Sequence, residues 1–245
     1  MKSQATRIQT DRTAVIAVDL QYDSIVAKGV WPITDPKGVL ANARKAIDAC
    51  RAARLPIIYT QHWLDPRGVD AMRYEPVTRG GRPTHSVAGS AMAAICKEVA
   101  PHPGDIILRK QRFTAFYGTS LDLMLNKMDI DHLIMLGVWT EACFETTVWD
   151  AIWRDYRITI VKDACGTATD LMHMTSILDL ANWLYGGMIL NADELVKGLA
   201  GRDYEAWRFT APNSYPYTLE TVEEMYNSIG AAAAEAPRRS ARRGR

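Results

Sequence analysis

Three side chains of complementary chemistry follow apolar runs at widely separated points of the chain. Asp19 ends Thr13-Ala14-Val15-Ile16-Ala17-Val18, Lys110 closes a run that begins Asp105-Ile106-Ile107-Leu108, and Cys143 comes shortly after His132-Leu133-Ile134-Met135-Leu136. A carboxylate, an ammonium and a thiol are the parts of a nucleophilic site. The thiolate attacks an electron-poor carbonyl carbon, the carboxylate takes the thiol proton and returns it to a leaving group, and water later releases the acyl-enzyme. Lys110 beside the thiol favours the thiolate, as does the first turn of a helix, where unpaired backbone N–H groups attract negative charge. A lowered pKa at Cys143 is the expectation. Each residue type also has an ordinary use, as turn former, solvated charge or inert packing. All three at one sheet edge is a combination that such uses do not explain.

The elements that must bring them together are legible as alternating patterns. Thr13–Asp19, Pro56–Thr60, Asp105–Leu108, His132–Leu136, Arg157–Val161 and Gly187–Leu190 read as buried strands, each a short continuous apolar run. Helical spacing is expected over 36–54, 90–99, 120–128, 142–153, 170–184 and 192–199, with Thr140 placed to cap the helix that carries Cys143. Strand–helix alternation implies a three-layer α/β/α sandwich on a six-stranded, mostly parallel sheet, whose ligands bind beyond the carboxyl ends of the strands. The connection from Gln61 to Gly89 is long and rich in Pro, Gly and Arg, a kind of loop that carries function.

The 245 residues divide into a main domain over 1–200, an aromatic-rich extension over 201–230 and an Ala/Arg-rich tail over 231–245 expected to be disordered. The extension carries Tyr204, Trp207, Phe209, Tyr215, Tyr217 and Tyr226, which either pack on the parent domain or reach a neighbouring subunit. A net charge of +1 argues against a nucleic-acid surface, and no apolar run is long enough for a membrane span. No secretory leader is recognisable at the N-terminus, so the expected location is the cytoplasm. The four cysteines (Cys50, Cys96, Cys143 and Cys165) form no CxxC pair and are expected to stay reduced there.

Three blocks carry a family resemblance: Val18-Asp19-Leu20-Gln21, Lys110-Gln111-Arg112-Phe113-Thr114-Ala115-Phe116-Tyr117-Gly118-Thr119 and Gly137-Val138-Trp139-Thr140-Glu141-Ala142-Cys143. In order and spacing, over roughly Thr13 to Leu199, they resemble the isochorismatase-like cysteine hydrolases, and most of all the N-carbamoylsarcosine and ureidoacrylate amidohydrolase branch. The resemblance implies a Rossmann-like sandwich and a triad of Asp19, Lys110 and Cys143. It also implies a cis peptide between Val138 and Trp139, with the N–H groups of Trp139 and Cys143 serving a developing oxyanion. Nicotinamidase-like members hold a metal just after the second strand. His62 and Leu64 stand here where two of those ligands would be, so neither metal nor cofactor is expected. Biuret-type members carry Gln where Tyr185 precedes Gly186-Gly187.

The chemistry so implied is hydrolysis of the C–N bond of a small amide, ureido or N-carbamoyl compound. Loop residues expected to contact the substrate are Gln21, Tyr22, Trp63, Arg73, Arg112, Phe113, Tyr117 and Tyr185, with bulky Trp139 narrowing the pocket. An arginine at the mouth would bind a substrate carboxylate. Two other readings remain open. One is vinyl-ether hydrolysis of the isochorismatase type, for which the thiol is dispensable. The other is a non-catalytic assembly subunit acting through the aromatic extension. The family resemblance further implies a homodimer or homotetramer.

Overall fold

Strand β1 (Thr13–Val18) is buried along its whole length, the condition of a parallel strand covered on both faces. A computed structural model describes residues 8–26, 29 and 31–229. The tail of residues 231–245 lies outside that range. After β1 come a short helix α1 (Tyr22–Ile25), α2 (Pro36–Ala52), β2 (Ile57–His62), β3 (Ile106–Lys110), α3 (Leu121–Lys127) and β4 (His132–Val138). A π-type turn (Thr140–Phe144) leads into α4 (Glu145–Ile152), and β5 (Arg157–Gly166), α5 (Asp170–Trp183), β6 (Met188–Leu190) and α6 (Ala192–Leu199) follow. The chain then adds β7 (Trp207–Arg208) and α7 (Val222–Ser228).

The sheet order is β3-β2-β1-β4-β5-β6-β7. All pairs are parallel except β6 with β7. The first six strands follow the order of the Rossmann fold, whose direction of winding reverses between β1 and β4. The expected sandwich is therefore present, with a seventh strand that two residues were too short to announce. Alternate side chains of β1 face opposite layers. Ala14, Ile16 and Val18 join a core that includes residues of α3, α4, α5 and α7, and Val15 and Ala17 join one built with α2 and α6.

Two local expectations give way. The helical spacing over 90–99 yields turns and a single 3-10 turn at Lys97–Val99. The carbonyls a helix would use are taken by other segments: Ala94 O accepts from Tyr22 N, Met92 O from Asp23 N, and Ala93 O from the Gln21 and Gln61 side chains. Thr140 does not cap a helix. Its hydroxyl pairs with His173 Nδ1 at 2.9 Å, while its carbonyl accepts from the Ser176 hydroxyl. The other side of that imidazole, Nε2, meets the Tyr226 hydroxyl at 2.9 Å. A chain of hydrogen bonds thus runs from α7 to the turn that carries Cys143.

The aromatic extension packs on its own domain. Trp207, Tyr215, Val222 and Ile229 are buried in the main core, and the Trp207 indole N–H donates to the Tyr215 hydroxyl at 2.6 Å. Among the described residues no helix is long and apolar enough to cross a membrane.

Close approach of β1 and β4 depends on one glycine. Gly137 has φ +125°, and a Cβ there would lie 2.2 Å from Val18 O and 2.6 Å from Val18 N. Backbone cannot yield as a side-chain tip can. Gly137→Ala is expected to cost at least about 2 kcal/mol, measured by denaturant unfolding. An unchanged midpoint would contradict this.

Candidate active site

The carboxyl ends of β1, β3 and β4 deliver the three reactive groups to one place. Asp19 follows β1 directly, with φ +47°, a left-handed conformation that Asp tolerates better than most residues. Lys110 ends β3, two strands away, and a long flexible side chain is needed to cross the end of β2. Its Nζ reaches Asp19 Oδ2 at 2.6 Å and also donates to Arg112 O at 3.0 Å. Both side chains are almost wholly buried. Between them Thr60 of β2 donates its hydroxyl to Asp19 Oδ1 at 2.6 Å and accepts from Asp19 N. The Cys143 thiol lies close enough to feel both the Asp19 and the Lys110 charge.

Protonation in this cluster follows from burial set against pairing. Burial opposes charge on Asp19, but Lys110, His62 and the Thr60 hydroxyl outweigh it and hold the carboxyl below its ordinary 3.8. Burial likewise opposes charge on Lys110, and Asp19 with Cys143 overcomes it, raising the ammonium above 10.5. Cys143 goes the other way. Burial pushes the thiol up to about 12 and Asp19 adds to this, while Lys110 only partly offsets them. The expected resting thiolate is corrected accordingly: burial outweighs the field of Lys110, which Asp19 also opposes. The resting set is carboxylate, ammonium and thiol, with a base poised on the thiol proton. Alkylation of Cys143 by iodoacetamide should therefore keep accelerating above pH 9 rather than level off near neutrality. A plateau near pH 7 would indicate a thiolate after all.

The turn after β4 is braced from several sides. The Val138–Trp139 peptide is cis, as the resemblance implied. Trp139 O accepts from the N–H groups of Ala142 and Phe144, and Cys143 O accepts the Thr147 hydroxyl at 2.6 Å. Thr147 in turn receives Ala115 N, and Thr114 donates to Asp150, so the segment after Lys110 is fastened to α4.

Cys143 opens into a cavity of about 280 Å³. Asp19, His62, His85, Phe113 and Trp139 line it, together with Ser24, Trp31, Val138, Glu141 and Ala142. Trp139 is pinned by its indole N–H to Ser24 O at 3.0 Å and meets Trp31 edge-on, their ring centroids 5.9 Å apart. His85 lies against Trp31 at 4.2 Å and pairs with Glu75 at 2.8 Å. Burial, reinforced by the nearby Lys110 charge, pulls His62 down to about 3, so its imidazole is neutral. Because Trp139 closes one wall, Trp139→Ala is expected to raise kcat/KM for bulkier amides by about tenfold relative to small ones. An unchanged ranking over an amide panel would remove Trp139 as a steric wall.

Of the loop residues expected at the substrate, only Phe113 and Trp139 reach this cavity. Gln21 spends its amide on the backbone, donating to His62 O and Ala93 O and accepting from His62 N. That holds the end of β2 rather than a ligand. Tyr22 accepts from Lys97 N through its hydroxyl, Trp63 stacks under Arg109, and Arg112 donates to Asp70 O and Gln111 O. Arg73 and Tyr117 are exposed and do not line the cavity. Tyr185 is displaced most. It precedes β6, so it sits at the amino edge of a parallel sheet, packed on Phe209 and opposite the triad. Ser24, Trp31, His85 and Glu141 were not foreseen as lining residues. Trp31 and His85 sit in loops of no regular pattern, and only the sequence adjacency of Glu141 to Cys143 gave any signal.

A thiol beside a carboxylate and an ammonium, opening into a cavity at the switch point of a Rossmann-like sheet, is a group set suited to a hydrolase-type centre. Residues 13–194 match the isochorismatase domain, and the chain belongs to the isochorismatase family. It is 30% identical over 178 residues to the ureidoacrylate amidohydrolase RutB of Agrobacterium fabrum, a stretch covering 64% of this chain and 77% of that protein. The crystal structure of N-carbamoylsarcosine amidase from Thermoplasma acidophilum superimposes with a TM-score of 0.62 at 30% identity, over 74% of this chain and 97% of that one. A cysteine hydrolase from Pseudomonas syringae pv. phaseolicola shares the fold, with a TM-score of 0.71 at 24% identity over 80% and 96% of the two chains.

Proposed function

We propose that the protein is a cytoplasmic cysteine amidohydrolase that cleaves the C–N bond of a small amide, ureido or N-carbamoyl compound. The observation that carries this reading is the buried Lys110–Asp19 pair, 2.6 Å long, placed against a thiol that opens into a cavity. Asp19 takes the thiol proton as sulfur attacks the carbonyl carbon, and the N–H groups of Trp139 and Cys143 receive the developing oxyanion. Collapse of the tetrahedral adduct breaks the C–N bond, and Asp19 returns the proton to the departing nitrogen. Water, deprotonated by the same carboxylate, then attacks the thioester; its collapse releases the acid and restores the thiol. Lys110 keeps Asp19 ionised in the first step and offsets negative charge on sulfur.

The names of the relatives, one a ureidoacrylate amidohydrolase and one an N-carbamoylsarcosine amidase, support the C–N bond as target. The test is ammonia release over a panel of carboxamides, ureides and carbamoyl amino acids, with Cys143→Ser as control. Release from at least one compound by the wild type, lost in the variant, supports the reading; turnover that survives in Cys143→Ser excludes it.

A further inference from the structure

Apart from Asp19 Oδ2, which pairs with Lys110, two buried polar atoms of residues in the cavity wall have no hydrogen-bond partner. They are Glu141 Oε2 and His62 Nε2. Their residues are otherwise secured: Glu141 Oε1 accepts the Thr167 hydroxyl at 2.8 Å, and the His62 backbone is held on both sides by the Gln21 amide. The carboxylate oxygen of Glu141 is an acceptor by nature, and His62 Nε2 donates or accepts according to the ring's tautomer. Buried acceptors without donors are rare and costly, and a ligand that supplies the donors recovers that cost.

The remaining walls are apolar and largely aromatic: Trp31, Phe113 and Trp139 stand around the thiol, with Val138 and Ala142. None of the described lining residues is an arginine or lysine. A substrate carboxylate placed here would meet Glu141, while the nearby Lys110 ammonium is already held by Asp19 at 2.6 Å. Like charges brought together in a closed site are strongly disfavoured.

From this we propose that the site takes an uncharged, flat amide or ureide whose N–H groups are read by Glu141 Oε2, with His62 Nε2 as a second polar contact, and that Glu141 selects against substrates bearing a carboxylate. The inference rests on the amidohydrolase reading for its bond type and narrows the substrate class. It revises the expectation that an arginine would bind a substrate carboxylate, since Arg73 and Arg112 lie outside the cavity.

The test uses a matched pair of probes, benzamide and 4-carbamoylbenzoate, which differ only by a carboxylate. Binding is measured by calorimetry on the full-length Cys143→Ser protein, so that no turnover intervenes. Benzamide should bind at least about tenfold more tightly than 4-carbamoylbenzoate. Adding Glu141→Gln, which keeps an acceptor for Thr167 and removes the charge, should bring the two within about threefold. Circular dichroism confirms that the double variant is folded, and Glu141→Ala, which also removes the charge, serves as the second variant. Equal or tighter binding of the carboxylate probe, a ratio indifferent to both substitutions at Glu141, or no measurable benzamide binding at millimolar concentration overturns the inference. Wild-type ammonia release distinguishes the two readings. If only carboxylate-bearing amides are hydrolysed, the amidohydrolase reading stands and this one falls. If benzamide binds selectively but no amide is turned over, the selectivity stands and the hydrolytic reading falls.

Discussion

Cys143→Ser should lower kcat by at least about 10³-fold, because a nucleophile is not one contribution among several but the atom on which both half-reactions turn. Asp19→Asn is expected to fall by a similar factor for a different reason. The thiol rests protonated at a pKa of about 12, so attack at neutral pH requires a partner that accepts its proton, and the amide of Asn cannot. The two losses should not multiply, since base and nucleophile act as one unit, and the double variant should be about as slow as either single one. Intact-protein mass spectrometry adds a structural readout. The wild type quenched during turnover should carry the mass of an acyl group on Cys143, and neither variant should. A wild-type rate in either single variant would remove that residue from the mechanism.

Lys110→Met is expected to destabilise the fold by about 3–5 kcal/mol, the cost of leaving a buried carboxylate without its counter-charge. The pH dependence separates this from a simple packing loss. In the wild type the Asp19 carboxyl lies below its ordinary 3.8 in the folded state, so its contribution is complete above that value and is lost as the pH falls through the folded pKa. The Lys110 ammonium lies above its ordinary 10.5, so its contribution is complete below that value and is lost as the pH rises through the folded pKa. Between those limits the pair supports the fold. Without Lys110, burial dominates Asp19 and raises its pKa, and the penalty is relieved once the carboxyl is protonated. The stability gap between variant and wild type should therefore shrink as the solution is acidified from neutrality. A gap constant with pH would mean that Lys110 contributes packing and no charge.

What the sequence disclosed follows the physics of each element. Strands such as β1 and β4, buried on both faces, write themselves as unbroken apolar runs, and Asp19, Lys110 and Cys143 were conspicuous because each interrupts or follows such a run. The resemblance supplied the cis peptide, which no propensity announces. Residues 90–99 misled because helical spacing speaks only for the segment itself, whereas their carbonyls are claimed by Gln21, Tyr22, Asp23 and Gln61 from elsewhere in the chain. The cavity wall was the least legible part. Trp31 and His85 arrive on loops without periodicity, and of the loop residues chosen by chemical type Arg73 is exposed, Arg112 is bonded to backbone carbonyls and Tyr185 packs on Phe209. Resting protonation of the thiol was illegible for a related reason, since the burial that outweighs Lys110 is visible only in three dimensions.

The chain of hydrogen bonds from Tyr226 through His173 to Thr140 has a consequence in time. Synthesis proceeds from the N-terminus, and a nascent chain acquires its base, its ammonium and its thiol well before Tyr226 emerges. Until then the turn bearing the thiol lacks its outermost support, and the places of Trp207, Tyr215, Val222 and Ile229 in the core stand unfilled. The segments that complete the support of this turn are therefore among the last to be synthesised.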